Sequence, residues 1–270
     1  MVKFGEIAIK IARVTATPLY IELDIYILDI NRTNGLSVVF VEVETDEGHS
    51  GHGITAITDD DVVATAINNL AGPTIIGEDP MANERIWEKL YWQLSPRGQT
   101  GYAGHAIAAI DVSLWDIKGK VLGQPRRLLG GARSSVPLYA TFGFSFFDRE
   151  QIGEAAKLWR RNGFDKLKMT VGMKALERRD DEKCSLMEAI REDRIRVRKV
   201  RDAVGADAEL FIDANSSLDQ HHAVKLANWV EEYDISFFEE PVTHNNVAQM
   251  SEMRTRTKVP VAAGQTETLA

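Results

Sequence analysis

The sequence is poor in cysteine, in long apolar runs and in excess positive charge. Cys184 is the single cysteine among 270 residues, so no disulfide can form within the chain, and a reducing compartment is expected. No apolar run approaches the roughly 20 residues that span a bilayer. The N-terminal segment alternates apolar and polar residues and lacks the apolar core of a signal peptide. We therefore expect a soluble, cytoplasmic protein that does not interact with membranes.

The charge balance argues against nucleic acid as a partner. The chain has 40 Asp and Glu against 32 Lys and Arg, a formal net charge of -8, whereas nucleic-acid binding needs clustered Lys and Arg that neutralise phosphates. Hydrophobic residues make up 44% of the chain, which is enough for a sizeable core. The length predicts one large domain or two smaller ones.

The first part of the chain predicts an α+β domain over residues 1–130. Residues 2–57 alternate apolar and polar side chains between turn-like segments, a pattern typical of an antiparallel meander. From Asp59 the spacing of apolar residues becomes helical, and it stays helical through residues 108–123, which end in glycine.

A second domain is predicted over residues 131–270. The segment 123–136 is rich in Gly, Arg and Ser and marks the boundary. Beyond it, short apolar runs alternate with amphipathic helices, which predicts a parallel sheet with helices outside. The candidate strands are 136–141, 164–171, 208–213, 235–240 and 259–264. A closed (β/α)8 barrel needs eight strands, so we expect a barrel of this type with about five strands present and an incomplete C-terminal side.

Two carboxylates lie at the ends of neighbouring candidate strands. Asp213 and Glu239 are 26 residues apart, about one βα unit, and catalytic groups of such barrels come from the carboxyl ends of the strands. Hard oxygen ligands of this kind suit Mg²⁺. Asn215 lies two residues past Asp213, where it could face the same point or cap the next helix.

The next strand should supply a third oxygen ligand. Another 26 residues lead to Gln265, and Glu267 follows two positions later, on the same face of an extended segment. A carboxylate is the better ligand for Mg²⁺, which favours Glu267 and leaves Gln265 as the alternative.

Lys166 and Lys168 have the spacing that places both side chains on one face of a strand. If that face is the barrel interior, two buried ammonium groups are costly unless function requires them. Each lowers the pKa of the other, and a nearby divalent cation lowers both further, which predicts a lysine base active near neutral pH. The alternative is an exposed edge strand with two snorkelling lysines.

These motifs together resemble the enolase superfamily, and within it the mandelate racemase/muconate lactonizing family. The resemblance rests on Lys166-Leu167-Lys168, Asp213-Ala214-Asn215 and Glu239-Glu240-Pro241 on successive strands, and on the helix at 108–131 that connects the two domains. It covers essentially the whole chain. The Gly-Gln-Thr-Glu ending is similar to the mandelate racemase-like subgroups, whose third metal ligand is glutamate.

The resemblance implies a role for each of these residues. Asp213, Glu239 and Glu267 (or Gln265) correspond to the Mg²⁺ ligands. Lys168 corresponds to the base that abstracts the proton α to a substrate carboxylate, and Lys166 to the partner that tunes it. The metal stabilises the resulting enediolate. The family's second acid or base would lie beyond residue 270, and a homo-oligomer is the usual assembly.

The substrate is expected to be a small-molecule carboxylate. By resemblance, His52 and Arg13 lie in capping-domain loops that contact substrate, and His244 lies at the barrel mouth. We expect a sugar-acid dehydratase. Racemisation or epimerisation of a 2-hydroxy acid is one alternative, and an inactive fragment or a non-catalytic metal-binding chain is another.

Overall fold

The structure is a computed structural model that describes residues 9–98, 101–124, 128–173 and 184–265. These residues form two compact units. The N-terminal unit holds the described residues up to 134 except 27–29, and the barrel unit holds residues 27–29 together with those from 135 onward. None of the helices among the described residues is both long enough and apolar enough to span a bilayer.

A three-stranded sheet forms one layer of the N-terminal unit. Its strands are β1 (Ile11–Ile27), β2 (Ile30–Thr45) and β3 (Ser50–Ala56), in that spatial order. Strands β2 and β3 are antiparallel, as the predicted meander requires. Alternation along β2 buries Val39, Val41 and Val43 completely, which gives the sheet one apolar face.

Helices cover that apolar face. They are α1 (Asp60–Ala66), a π-helical turn (Ile67–Ala71), α2 (Gly72–Ile75), α3 (Asn83–Gly98) and α4 (Tyr102–Val121). Helix α4 approaches β3 closely because β3 contains two glycines facing it. A Cβ at Gly53 would lie 2.1 Å from the Ala109 carbonyl oxygen, and one at Gly51 would lie 2.1 Å from that of Ser113.

The barrel unit contains five parallel strands in sequential order. They are β4 (Ala140–Phe142), β5 (Lys166–Thr170), β6 (Glu209–Asp213), β7 (Ile235–Glu239) and β8 (Val261–Ala262). Between them lie helices α5 (Arg149–Arg161), α6 (Leu186–Val204), α7 (Gln220–Val230) and α8 (Val247–Met253). All five predicted strands are confirmed, each shorter than its apolar run, and the architecture is a partial α/β barrel.

Side chains at the first residues fix where these helices begin. Asp148 and Gln151 form a reciprocal capping box at α5, and Ser185 and Glu188 form another at α6. Asp219 caps α7 by accepting a hydrogen bond from the backbone N–H of His222 at 2.8 Å. The alternative that Asn215 caps this helix is therefore wrong, because the loop after β6 continues four residues beyond Asn215.

Strand register arranges the barrel residues in rows. Lys168 pairs with Phe211, which pairs with Phe237, and these two rings stack with their centroids 4.3 Å apart. Asp213 pairs with Glu239 two residues further along. The carboxylates therefore form a row at the carboxyl ends of the strands, one row above Lys168 and the stacked rings.

Candidate active site

Three charged side chains meet at the carboxyl ends of β5, β6 and β7. The Lys168 Nζ atom lies 2.6 Å from Glu239 Oε2 and 2.9 Å from Asp213 Oδ2. The side chains of Lys168, Asp213 and Glu239 are 9%, 5% and 17% exposed, so water screens these contacts little. The two carboxylates thus share a single buried cationic group.

Lys168 retains its proton strongly in this arrangement. Burial lowers the pKa of the Lys168 ammonium, but hydrogen bonds and charge from Glu239 and Asp213 outweigh burial, so the net pKa lies well above its ordinary value. The ring of Tyr139, with its centroid 5.2 Å from Nζ, adds a cation–π contact. The lowered pKa expected from the sequence includes the effect of a bound divalent cation; without that cation, the two carboxylates raise the pKa of Lys168.

Lys166 does not join this group. It is the first residue of β5 and pairs with Glu209, the first residue of β6, in both strand register and an ion pair. Both side chains of that pair are 39% exposed. The two lysines share a face of the strand, as their spacing predicts, but Lys166 lies at its opposite end, away from the carboxylate row.

The donor atoms suit a hard divalent cation as two of its ligands. The carboxylate oxygens of Asp213 and Glu239 already converge on the Lys168 ammonium, which stands for a positive charge at that point. Within the described ranges, no three His, Cys, Asp or Glu side chains are grouped so as to hold a metal ion. Gln265 follows β8 and is exposed, and Glu267 lies outside the described residues, so the choice of third ligand stays open.

The loops after β6 and β7 hold two further residues from the sequence analysis. Asn215 adopts a left-handed backbone (φ 47°), and its N–H donates to Asp213 Oδ1 at 2.9 Å. This bond fixes the orientation of one carboxylate. His244 (φ 60°) lies exposed in a 3₁₀ turn, Thr243–Asn245, shortly after β7.

The expectation that Arg13 and His52 lie in loops is wrong, because Arg13 lies in β1 and His52 in β3, and both have acidic partners. Arg13 forms a two-pronged ion pair with Glu44 across β1 and β2. The His52 ring contacts Glu42, with Nε2 3.3 Å from Oε1. The backbone N–H of His52 donates to Asp116 Oδ2 at 2.9 Å.

A buried ion pair escaped the sequence analysis. Asp193 and Arg196 lie one turn apart on α6, with Oδ1 and Nη1 3.0 Å apart and both side chains 5% exposed. They belong to the helix face that also buries Ala189, Ile190 and Val197. Two charged residues within an otherwise apolar stripe were the available signal, because buried charges require partners.

Gly172, just past β5, has a left-handed backbone and lies close to a side chain of the next loop. Its φ is +70°, and a Cβ added there would lie 2.1 Å from the Ser217 Oγ in the loop after β6. The left-handed backbone alone costs a residue other than glycine about 1–2 kcal/mol. This position therefore keeps the two loops in close contact.

Gly172→Ala is expected to lower the free energy of unfolding by more than that backbone cost, because Ser217 must also move. Gly163→Ala is the matched control, since Gly163 has a φ of +90° and open space around its Cβ position. The difference between the two variants in urea denaturation gives the cost of the contact with Ser217. Equal losses in the two variants would contradict the close contact.

An α+β unit followed by consecutive parallel βα units with carboxylates at the strand ends defines an enolase-type protein. Residues 26–130 match the mandelate racemase/muconate lactonizing enzyme N-terminal domain, and residues 151–269 match the enolase C-terminal domain-like family. The chain belongs to the mandelate racemase/muconate lactonizing enzyme family of the enolase superfamily.

Relatives of known activity act on sugar acids and their lactones. Arabinonate dehydratase of Saccharolobus solfataricus is 29% identical over 235 residues, covering 86% of this chain and 59% of its own. D-galactarolactone cycloisomerase of Agrobacterium fabrum is 33% identical over 233 residues, covering 84% and 57%. The chain thus spans less than two thirds of the length of these relatives.

Solved structures of similar proteins contain magnesium. A racemase from Streptomyces coelicolor with bound magnesium superimposes with a TM-score of 0.80 and 25% identity, covering 95% of this chain and 69% of that one. L-talarate dehydratase from Polaromonas, in complex with Mg and L-glucarate, gives a TM-score of 0.76 and 27% identity, covering 95% and 66%.

Proposed function

We propose that this site abstracts the proton α to the carboxylate of a sugar acid in a Mg²⁺-dependent reaction, and that the overall reaction is a dehydration. The observation that carries the proposal is the meeting of Lys168 with Asp213 and Glu239 at adjacent strand ends. The dehydratases among the relatives support the same substrate class.

In this proposal, Asp213 and Glu239 hold the cation, with Glu267 or Gln265 as a third ligand. Mg²⁺, when bound, supplies positive charge that stabilises the enediolate formed from the substrate carboxylate. A bound Mg²⁺ would offset the charge of the two carboxylates that hold the Lys168 proton, so that Lys168 in its neutral form could accept the α-proton at Nζ. Its stem rises from the row of stacked rings, so the amine approaches the substrate from the barrel interior.

The substrate contacts are proposed by position. Asn215 and His244 follow β6 and β7, where they can reach a ligand held at the carboxylate row. Arg13 and His52 are already paired with Glu44 and Glu42. We therefore rank Asn215 and His244 ahead of Arg13 and His52, and assign Lys166 to its partner Glu209 unless substrate displaces it.

Proton NMR in D₂O tests the reaction directly. The full chain with Mg²⁺ is incubated with arabinonate, galactonate, galactarate and glucarate, and the α-proton signal and any new product are followed. Dehydration is expected to give a 2-keto acid, and added chelator is expected to abolish turnover. Racemisation, the second candidate, would instead place deuterium at the α-carbon of recovered acid. This candidate is kept because one of the similar structures is a racemase with bound magnesium.

Calorimetric titration with Mg²⁺ separates a wrong reaction from a wrong site. Mg²⁺ binding without exchange on any acid would indicate a non-catalytic metal-binding chain. Turnover that persists in excess chelator would contradict the metal dependence itself.

A further inference from the structure

Helix α6 ties together the loops that follow β4 and β5. The Arg196 guanidinium donates to the backbone carbonyl oxygen of Gly143, to that of Phe144 at 3.1 Å and to that of Thr170 at 3.4 Å. Asp193, its ion-pair partner, accepts a hydrogen bond from the Gly172 N–H at 2.8 Å. One buried pair thus holds segments 143–144 and 170–172.

The second segment is hydrogen-bonded to the backbone of Asp213, a residue of the carboxylate row. The N–H of Val171 donates to the carbonyl oxygen of Asp213 at 2.8 Å, and the Thr170 hydroxyl donates to Gly143 at 2.7 Å. Thr170 is two residues past Lys168 on the same strand face. The segment that the pair holds is therefore joined to Asp213 by a backbone hydrogen bond from Val171, and it continues along β5 to Lys168, two residues before Thr170.

We propose that Asp193 and Arg196 are positioning residues that fix the carboxyl end of β5, and with it Lys168 relative to Asp213. The inference rests on the proposed function of that site. Arginine suits this task because its planar fork donates to several carbonyls at once. Asp193 orients the fork and neutralises its charge in a place that water does not reach.

The same helix provides a matched control. Arg201 also donates to backbone carbonyls, at 2.7 Å to Ala208 and 2.8 Å to Tyr233. These residues directly precede or lie close to the starts of β6 and β7, the ends opposite the carboxylate row. Arg201 therefore ties backbone as Arg196 does, at a distance from the site.

The test compares Arg196→Lys with Arg201→Lys in the full chain. Lysine keeps the charge but loses the fork. Arg196→Lys is expected to lower kcat for α-proton exchange about 10–100-fold with KM within about threefold, and to speed hydrogen exchange in segment 170–172. Arg201→Lys is expected to lower the melting temperature to a similar degree while kcat stays within about twofold. Asp193→Asn serves as a second, isosteric probe with the same expected direction.

Several outcomes would overturn the proposal. One is an equal kcat loss in the two arginine variants, and another is an unchanged kcat in Arg196→Lys despite faster exchange in segment 170–172. If the wild-type chain exchanges no α-proton, the proposed function fails, but the positioning role can still be tested through Mg²⁺ affinity. In that case Arg196→Lys is expected to weaken Mg²⁺ binding and Arg201→Lys is not. A wild-type chain that neither exchanges the proton nor binds Mg²⁺ would overturn both proposals.

Discussion

Lys168→Met is expected to lower the rate of α-proton exchange by about 10²–10⁴-fold, the range typical of removing a general base. Methionine retains the length and apolar stem of lysine but has no group that accepts a proton. Because Lys168 is the lysine that contacts both Asp213 and Glu239, the loss should fall on kcat. Deuterium incorporation in D₂O at saturating substrate and Mg²⁺ measures it.

Lys166→Met is the matched control for this result. Lys166 has the same face of the same strand but pairs with Glu209 at the other end. This variant is expected to retain a far larger share of the exchange rate than Lys168→Met. A reversal of that order would move the base to Lys166 and contradict the assignment.

Lys168→Met is also expected to destabilise the metal-free chain by about 3–5 kcal/mol, the cost of removing one partner from a buried ion pair. Without the Lys168 ammonium, the carboxylates of Asp213 and Glu239 face each other in a site with little water. Saturating Mg²⁺ should recover much of this loss. It should also stabilise the variant more than the wild type, in which the ammonium competes for the same oxygens.

Urea denaturation with chelator and again with Mg²⁺ measures both parts. Lys166→Met should cost no more than about 1 kcal/mol, as is usual for an exposed ion pair, and should not respond differently to Mg²⁺. Equal stabilisation of wild type and Lys168→Met by Mg²⁺ would indicate that the ion binds elsewhere.

The periodicity of apolar residues predicted the strands of both sheets well. Each short apolar run after residue 135 is a parallel strand, and the alternating N-terminal segments form the sheet of β1, β2 and β3. The run boundaries were less informative, since β4 begins at Ala140 and not at 136. Hydrogen bonding between strands sets these ends, and a single run of residues carries no information about its partner.

The candidate site shows the same limit. Spacing predicts which face a side chain takes, and so grouped Lys166 with Lys168, but the row that each residue occupies depends on register with β6. The pKa of Lys168 likewise depends on which charges surround it, and among the described residues these are the carboxylates of Glu239 and Asp213. Asp193 and Arg196 were detectable as charges within an apolar stripe, yet their partners are backbone atoms that no motif reveals.

The number of residues between Arg196 and Arg201 on helix α6 is fixed by the backbone groups that the two arginines bind. Arg196 reaches the carboxyl ends of β4 and β5, and Arg201, five residues later, reaches backbone near the starts of β6 and β7. Inserting or deleting a single residue between them would rotate one arginine by about 100° and shift it about 1.5 Å along the helix. Both anchors could not then engage, so this stretch should accept exchanges of side chain while excluding changes of length.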